Sequence, residues 1–592
     1  MSLDFCTKDE KKAIGEALWG MRWTSPYGKE MQRFLRHGIG LHHAGLLPKY
    51  RLLVEKLAQR GLLKIISGTD TLGVGVNIPI RTVLFTKLCK YDGEKTSLLT
   101  VRDFQQIAGR AGRKGFDVAG SVVAQAPEHV VENLRLEAKA GGDPKKLRKM
   151  VRRKPPDKGY VPWDRAVFDR LATSLPEPLI SRFAVSHGML LDVLSRPGGG
   201  KMAMARLIKR SHERLPEKRR IGRTAFALYK SLVDAQIITV YQGDDGAFRV
   251  VLADDLQLDF ALHQPLSLYL LETLPLIDPE SLTYAKDVLT LVESILENPT
   301  VLLLRQLDKL KLERLGELKA QGMLYEERME ELEKVENPMP NRQFLYDTFN
   351  AFAKRHPWAS GLNVRPKSIA RDMIEQVLSF TEYVREYGLE RSEGLLLRYL
   401  SEVYKTLVQT VPSDEKSPEL DEIITYLGTM VRQADSSLLD EWERMRDPAY
   451  FRALEAHDPD KLPQREEGPV DVTADQAGFL ILVRNAAFAV VRALAREDLA
   501  SVRELAQNPD MDDTFLQERL AELRAEHGPP RTDAEARSPK HLTVEKGELA
   551  WTFRQALVGD EGPTGWALSG KVDLEGSRVE GRAMLRVDQF GP

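Results

Sequence analysis

The chain has 592 residues, of which 42% are hydrophobic and 29% are charged, and this composition excludes an intrinsically disordered protein and a small disulfide-stapled one. Its two cysteines, Cys6 and Cys89, are too few for a disulfide framework or a metal site of their own, and they indicate a reducing compartment. We find no apolar run of membrane-spanning length and no signal-peptide pattern, so we expect a cytoplasmic protein without a membrane partner.

Charge is distributed unevenly along the chain. Residues 1–160 contain 30 Lys and Arg against 16 Asp and Glu, whereas the remaining residues contain 55 against 71. Because the neutralisation of phosphates releases counterions, a basic segment of this size favours a polyanionic partner such as nucleic acid. The acidic remainder is typical of a solubilising scaffold.

The first part of the chain alternates helices with short strands. Helices are predicted over 9–18, 29–37, 52–60 and 101–111, and strands over 38–43, 62–67, 81–86 and 120–125, of which 62–67 should be buried. This alternation predicts an open parallel α/β sheet, whose ligand sites lie at the carboxyl ends of the strands. Three glycine-containing segments fall at those ends, namely residues 42–48, 69–79 and 106–115.

The third of these segments reads QIAGRAGRKG. On a helix its spacing places Gln106, Arg110 and Arg113 on one face, because residues three and four apart are neighbours. Arginine forks onto phosphate oxygens, and an arginine brought to a transferred phosphoryl group is worth about 10³ to 10⁵ in rate. The small residues between the arginines, including Gly109, let the backbone approach a ligand closely. For this segment alone, a solvated basic helix face is the alternative.

The segments HHAGLLP, TDTLGVGVNIP and QIAGRAGRKG occur in this order, and together they resemble the second RecA-like domain of superfamily-two helicases. The resemblance is greatest to the C-terminal portion of superkiller-like DExH-box RNA helicases, here with an actinobacterial-type C-terminal extension. It implies that Arg110 and Arg113 reach the phosphates of ATP across an interdomain cleft, and that Gln106 places the γ-phosphate or the attacking water. It also implies that three residues lie beside the nucleotide, namely Gly75, Asn77 and Gly109.

The same resemblance implies a nucleic-acid contact. His42, His43 and Gly45 match a loop that binds the phosphates of the strand, while Thr69 and Asp70 match positions that touch its backbone. The alternatives are hydrogen-bonded turn histidines and ordinary turn glycines. Zinc is not expected at the two histidines, because no nearby residues complete a tetrahedral set, and we predict no metal site in the chain.

The sequence departs from the family pattern mainly because several family motifs are missing from it. The family loop has Glu at Asp70 and Ala-Met at residues 73–74, and both differences are conservative. The sequence contains no GxxxxGK[ST] loop, and the run at residues 9–12, DEKK, is not a DExH box. The Mg²⁺ ligands, the catalytic glutamate and the first strand of this RecA-like domain are also missing. We therefore expect ATP with Mg²⁺ only in a complete enzyme that has an N-terminal RecA-like domain, and we predict that this chain alone is inactive.

Beyond residue 140 the predicted organisation has four parts. A basic run at 145–158 lies in a linker, 141–180, which is either solvated or in contact with phosphates. Residues 181–262 predict a winged-helix-like domain, from a helix at 225–235 and a hairpin at 237–241 and 247–252. The basic side chains that precede this hairpin could line the path of a strand, with a structural linker helix as the alternative: Lys209, Arg210, Arg214, Lys218, Arg219, Arg220 and Arg223.

The last two parts are a bundle and a mixed domain. Residues 263–460 predict a helical bundle that resembles the ratchet of the same family, with helices at 282–298, 301–318, 325–335 and 368–387. Residues 470–592 predict a small α+β domain with a docking or structural role, in which two helices precede strands at 542–544, 549–557, 565–574 and 579–587.

The fold class predicted from the sequence is therefore multidomain: an α/β RecA-like helicase C-terminal domain over 1–140, a winged helix, a mainly α bundle and a small α+β domain. The predicted function is that of the C-terminal part of an ATP-dependent helicase, which couples hydrolysis to translocation or unwinding of RNA rather than DNA. The alternative is a non-enzymatic nucleic-acid-binding or adaptor protein that retains the second motor lobe as a scaffold.

Overall fold

The computed structural model of the chain describes residues 5–19, 21, 23, 25–69, 78, 80–91, 95–112, 117–141, 151–155, 161–195, 200–242, 248–253, 261–376, 378–446, 471–533, 535–547 and 550–592. The chain divides into two compact units. One comprises Met1–Trp23 and Tyr27–Arg182, and the other comprises Thr24–Pro26 and Phe183–Pro592.

The first unit combines short strands with helices, as predicted. Its helices are α1 (Lys8–Leu18), α2 (Pro26–Arg36), α3 (Pro48–Gln59), α4 (Val101–Ala108), α5 (Glu128–Ala140) and α6 (Arg165–Thr173). Its strands are β1 (Ile39–His42), β2 (Ile65–Gly68), β3 (Thr82–Phe85), β4 (Cys89–Tyr91), β5 (Thr96–Leu98) and β6 (Ser121–Ala124). The antiparallel hairpin of β4 and β5 was not predicted.

The parallel strands of this unit form two pairs. β1 pairs with β2 and β3 pairs with β6, and within the described residues no ladder joins β2 to β3. Ile65 of β2 is 44% exposed, and Leu84 and Val123 of the other pair are 58% and 48% exposed. The prediction of a buried strand at 62–67 is therefore wrong, because a parallel strand is buried only where neighbours cover both of its faces.

Aromatic packing fixes α4 in the first unit. The rings of Phe85 and Phe104 stack at 4.7 Å, and Phe168 of α6 meets Phe104 edge-on at 5.7 Å. Leu88 and Leu171 complete a buried cluster around these rings. Burial of aromatic side chains dominates core energetics, so α4 is held firmly between β3 and α6.

Part of the predicted basic linker lies along α5. Arg152 forms an ion pair with Glu137 at 2.9 Å, and Arg153 forms one with Glu132 at 2.8 Å. The side chain of Asn133 bonds both backbone groups of Arg153, at 2.8 and 3.0 Å. Exposed pairs of this kind contribute little stability, but they do place the described part of the basic run, residues 151–155, on the surface of α5.

The second unit begins with three helices and a hairpin. The helices are α7 (His187–Ser195), α8 (Lys201–Arg210) and α9 (Leu215–Asp234), and the antiparallel hairpin consists of β7 (Ile238–Gln242) and β8 (Phe248–Leu252). The helix and the hairpin predicted for this region are confirmed, although α9 begins ten residues earlier than the predicted start at 225 and α8 was not predicted. Pro216 in the first turn of α9 suits a helix start, because its missing N–H needs no partner there.

A helical bundle follows. It contains α10 (Ser267–Thr273), α11 (Tyr284–Ile295), α12 (Thr300–Ala320), α13 (Tyr325–Glu333), α14 (Arg342–Arg355), α15 (Ala370–Glu375), α16 (Phe380–Glu386), α17 (Glu393–Gln409), α18 (Pro418–Asp435) and α19 (Ser437–Arg446). The single helix predicted over 368–387 is wrong, since α15 and α16 are separate. Ser379 caps α16 through a reciprocal pair of hydrogen bonds with Glu382, which starts a new helix.

The last part of the chain is α+β, as predicted. It contains α20 (Gln476–Ala495), α21 (Leu499–Ala506), α22 (Asp513–His527), β9 (Leu542–Glu545), β10 (Trp551–Gly559), β11 (Gly562–Asp573), α23 (Leu574–Glu580) and β12 (Met584–Gly591). The four strands form an antiparallel meander in the order β12-β11-β10-β9. The strand predicted at 579–587 is wrong at its start, because Asp573 caps α23 and Gly581, with φ of +64°, ends that helix.

Helix α20 is long and apolar enough to cross a membrane when judged by length and composition alone. This corrects the prediction that no run reaches that length. Twelve of its 20 residues are buried inside the second unit, where it packs against α18, α21 and β12. The core helix of a globular domain is buried in the same way and can have the same length and composition.

Candidate functional site

Two of the three motifs meet at the carboxyl ends of β1 and β2. His42 is the register partner of Gly68, and the backbone amide of Thr69 donates a hydrogen bond to the carbonyl oxygen of His42 at 3.2 Å. The amide of Leu46 bonds the carbonyl of His43 at 3.1 Å and closes the turn that contains Gly45. The parallel pairing therefore brings the HHAG turn next to the first residue of the TDTLG segment.

The side chain of His42 points into the unit. It is 3% exposed, and its Nε2 lies 2.8 Å from Oε1 of Glu55 on α3. A phosphate contact requires surface that this ring does not offer, so for His42 the structure favours the alternative of a hydrogen-bonded turn histidine. His43 and Gly45 are half-buried, and their contact with a strand stays a prediction.

The third motif begins on α4 and leaves it. The helix ends at Ala108, and the amides of Arg110 and Ala111 bond the carbonyls of Ile107 and Ala108 at 3.1 and 2.9 Å in a tight turn. The predicted helix over 101–111 is therefore confirmed as far as Ala108 and wrong beyond it, so Gln106 and Arg110 do not share a helical face. Arg110 lies half-buried in the turn that follows the helix, next to the exposed Gly109.

Two glycines explain why the helix stops here. Gly112 has a φ of +92°, and its amide bonds the carbonyl of Ile80 at 2.8 Å. A Cβ atom on Gly120 would lie 2.3 Å from the carbonyl carbon of Ala111, which no real Cβ can tolerate. Because two backbone segments cross this closely, the turn that carries Arg110 is held against the start of β6. Gly120 was not singled out from the sequence.

The amino end of α4 is anchored by a distant carboxylate. Glu177 accepts hydrogen bonds from the amides of Val101 and Arg102 at 2.9 and 3.0 Å, and these bonds, that of Arg102 first, lower the pKa of Glu177. A negative charge at this end also complements the helix dipole. Gln105 adds a bond to the carbonyl of Ser174 at 2.8 Å. Glu177 lies 76 residues from Val101, so no local sequence signal identifies it.

The segment from Thr69 to Ile80 connects the motifs. Its first residue bonds His42, and its last residue forms a parallel bridge with Ala111, one position after Arg110. The segment is thus tied at one end to the HHAG turn and at the other end to the arginine turn. Asp70, Gly75 and Asn77 of this segment lie outside the described residues, and so does Arg113 of the third motif. The roles of these four residues stay predictions.

The described residues of the third motif lie mostly at the surface. Gln106 and Gly109 are exposed, and Arg110 stands beside them with the guanidinium chemistry that phosphate requires. Across the part of the chain that the structure describes, no three His, Cys, Asp or Glu side chains group as metal ligands. The guanidinium of Arg110 has the chemistry that binds phosphate oxygens, and its contact with a nucleotide stays a prediction.

Two family models match the chain. Residues 126–590 match the one described as a domain of unknown function, DUF3516, and this range is more than half of the chain. The chain belongs to this family. Residues 21–115 match the model described as the helicase conserved C-terminal domain, and that range contains all three motifs.

Curated relatives agree with the helicase match. Superkiller complex protein 2 of Mus musculus is 37% identical over 158 residues, which is 26% of this chain and 13% of that protein. DExH-box ATP-dependent RNA helicase DExH11 of Arabidopsis thaliana is 40% identical over 127 residues, or 22% of this chain and 9% of the relative. Exosome RNA helicase MTR4 of Mus musculus is 38% identical over 133 residues, or 21% and 13%. The chain thus matches about a tenth of the length of these relatives.

These matches confirm the resemblance drawn from the three motifs. The first part of this DUF3516 chain is a helicase C-terminal lobe of the superkiller-like DExH-box kind, and its fold class is RecA-like. Two of these relatives, DExH11 and MTR4, are RNA helicases by name, and the matches place the chain in a helicase family. The DUF3516 range starts at residue 126, just after β6, and it runs through the bundle to the last strand.

Proposed function

We propose that the chain supplies half of an ATP-hydrolysing site, together with a nucleic-acid contact, to a helicase that moves along or unwinds RNA. One observation carries the proposal. The Thr69–Ile80 segment is bonded to the HHAG turn at its first residue and to the arginine turn at its last residue. We propose that this segment couples a bound strand to a bound nucleotide, because its two described ends contact both turns.

At the nucleotide, ATP brings the phosphoryl group whose transfer drives movement. Arg110 and Arg113 place positive charge where negative charge develops on that group, and Gln106 orients the γ-phosphate or the attacking water. The turn that carries Arg110 is fixed by Gly112 and by the close approach of Gly120. Charge held in place before the reaction lowers the barrier more than a mobile side chain does.

The other half of the site belongs to a second RecA-like lobe, which would carry the GxxxxGK[ST] loop, the DExH box and the Mg²⁺ ligands. Support comes from an apolar side chain that stands open on a strand, since Ile65 of β2 is 44% exposed. Parallel strands are normally buried on both faces, so we propose that further elements cover this strand.

We further propose that the phosphate backbone of a nucleic-acid strand is contacted by His43, Gly45, Thr69 and Asp70. The surplus of Lys and Arg over residues 1–160 supports a polyanionic partner, and the names of the relatives favour RNA over DNA. We propose a cytoplasmic location from the low cysteine content of the sequence, in which Cys6 and Cys89 are the two cysteines.

Steady-state ATP hydrolysis by a polypeptide that carries both lobes tests the coupling. Thr69→Ala should keep turnover without RNA and lose most of its stimulation by a single-stranded oligouridylate, whereas Arg110→Lys should lose both. Thr96→Ala, in the hairpin of β4 and β5, is the matched control and should behave like the parent protein. If Thr69→Ala keeps full RNA stimulation, the proposed link between the two turns is wrong.

The adaptor alternative keeps one supporting observation, namely that the 592-residue sequence contains no GxxxxGK[ST] loop. It predicts that this chain binds RNA with the same affinity whether or not a second lobe and ATP are present. The helicase proposal predicts an affinity that changes with the nucleotide state of the joined lobes. A filter-binding titration with and without a non-hydrolysable ATP analogue separates the two.

A further inference from the structure

Three helices of the second unit enclose an apolar groove. Helices α7, α8 and α9 surround a space of about 430 Å³. The floor of the groove consists of aliphatic side chains, among them Leu190, Leu194, Met204 and Ile208, which are all buried. A groove of this volume accepts a few large apolar side chains.

Large apolar side chains also stand open at the groove. Phe226 of α9 is 68% exposed, and Leu215 at the start of the same helix is 63% exposed. Both belong to the lining, so the apolar surface continues from the floor to the edge. An exposed patch with a polar rim is typical of an interaction site.

The rim of the groove is basic. Lys201, Lys209, Lys218 and Arg219 line it, and none of the lining residues that the structure describes is acidic. Lys218 donates a hydrogen bond to the carbonyl of Lys209 at 2.7 Å, and Lys201 lies 4.5 Å from the centre of the Tyr229 ring. None of these four cations has a carboxylate partner in the part of the chain that the structure describes, although neighbouring Arg220 is paired with Glu217. The rim therefore presents uncompensated positive charge around an apolar floor.

We propose that this groove binds an amphipathic peptide segment of a partner protein, with two or three large apolar residues on one helical face and acidic residues on either side. The apolar face would fill the space above Leu194 and Ile208 and cover Phe226. The acidic flanks would meet the basic rim. Helix-in-groove recognition uses anchors at this spacing, and charge complementarity selects the partner and speeds association.

The side chains at the floor of the groove favour a peptide over a nucleic acid. Single-stranded nucleic acids bind where successive bases stack on aromatic rings and phosphates follow a basic track. Among the lining residues that the structure describes, Phe226 is the strongly exposed ring, and the floor is largely aliphatic apart from the buried ring and hydroxyl of Tyr229. The apolar groove thus suits Leu, Ile, Met or Phe side chains. Peptide binding in this groove is independent of the proposed helicase activity.

A random-peptide display library, with peptides of about 15 residues to allow four helical turns, tests the proposal when it is panned against the full chain. We expect enrichment of acidic peptides with apolar residues three and four apart. The most enriched peptide is then synthesised with a fluorescent label, and its affinity is measured by anisotropy. Phe226→Ala and Lys218→Glu should each weaken it about tenfold.

Lys230→Glu is the matched control, because Lys230 is exposed on the same helix outside the groove and its reversal should change the affinity less than about twofold. Phe226 is largely exposed, so its truncation leaves the fold intact, and Lys218→Glu provides an independent variant. Failure to enrich acidic peptides, or equal affinity for Phe226→Ala, overturns the proposal. Displacement of the peptide by oligouridylate would assign the groove to nucleic acid, and a change of sedimentation in Phe226→Ala would assign it to a second copy of the chain.

Discussion

The two units differ in their sequence motifs and in how fully their side chains are buried. The first unit carries all three helicase motifs, yet it leaves Ile65, Leu84 and Val123 of its strands about half exposed. The second unit carries no such motif, yet ten of the twelve residues of α11 are buried. Exposed strands agree with the proposal that this unit supplies half of a site, because a second lobe would then cover part of its surface. The second unit, in contrast, is stabilised by its own packing.

The largest effect should come from the centre of the second unit. Glu293 is fully buried and accepts hydrogen bonds from the amides of Ile369, Ala370 and Arg371 and from the hydroxyl of Tyr399 at 2.7 to 3.1 Å. Glu293→Ala should lower the free energy of unfolding by about 3 to 5 kcal/mol, because it leaves buried donors without an acceptor. Chemical denaturation, with hydrogen exchange followed separately in each unit, measures the loss.

The exposed neighbour Glu297 provides the control for that variant. Glu297→Ala should change the free energy of unfolding by less than about 0.5 kcal/mol, and exchange in the first unit should be unaffected by either substitution. A Glu293→Ala protein that loses less than about 1 kcal/mol would show that the second unit does not depend on this buried network.

Acid should weaken the second unit through His187. Burial, and next the charge of His356, lower the pKa of His187 from 6.5 to about 4, and its ring is 2.9 Å from the hydroxyl of Ser231. The unfolded chain therefore binds the proton more tightly, so the contribution to stability is present above pH 6.5 and is lost as the pH falls towards 4. The loss is about 3 kcal/mol.

Denaturation curves between pH 7 and pH 4 test this dependence. A His187→Gln protein should show a flatter profile across that range, since the titrating group is gone. If the free energy of unfolding of the variant depends on pH as steeply as that of the parent, other groups cause the acid sensitivity. The burial of His187 would then not explain how the second unit responds to acid.

A smaller effect is expected in the first unit. Gly120→Ala should destabilise it by about 2 kcal/mol, because the added methyl group meets the backbone of Ala111. Gly15→Ala is the opposite control, since nothing lies within 4 Å of its Cβ position on α1 and alanine favours a helix by about 0.5 to 1 kcal/mol. Hydrogen exchange of residues 101–112 measures the effect of Gly120→Ala, and exchange of α1 measures that of Gly15→Ala. A Gly120→Ala protein as stable as the parent would contradict the close approach.

What the sequence predicted well depended on local chemistry. The strand that ends at His42 was identified because an apolar run, two histidines and a glycine turn follow one another directly. The second half of α9 was identified from its helical spacing, and the hairpin after it from the GDDG sequence between two strand-like runs. Local periodicity also separated the mainly helical bundle from the α+β part.

What the sequence could not supply depended on contacts between distant residues. Helix α4 ends three residues early, because Ala111 pairs with Ile80 and Gly120 crosses its backbone. Glu177 anchors the same helix from 76 residues away. The burial of His42 depends on its pairing with Glu55 on the next helix. In each case the deciding partner is outside the window over which propensity and spacing act.

The most direct measurement of the central claim is ATP hydrolysis by this chain alone, compared with a polypeptide that also carries a lobe with GxxxxGK[ST] and DExH sequences. We predict no turnover above background for the chain alone and RNA-stimulated turnover for the joined lobes. In the joined form, Arg110→Ala and Arg113→Ala should each reduce turnover by about 10³ or more while RNA affinity stays within about threefold. Turnover by the chain alone, or full activity in both arginine variants, would contradict the claim that this chain holds half of the site.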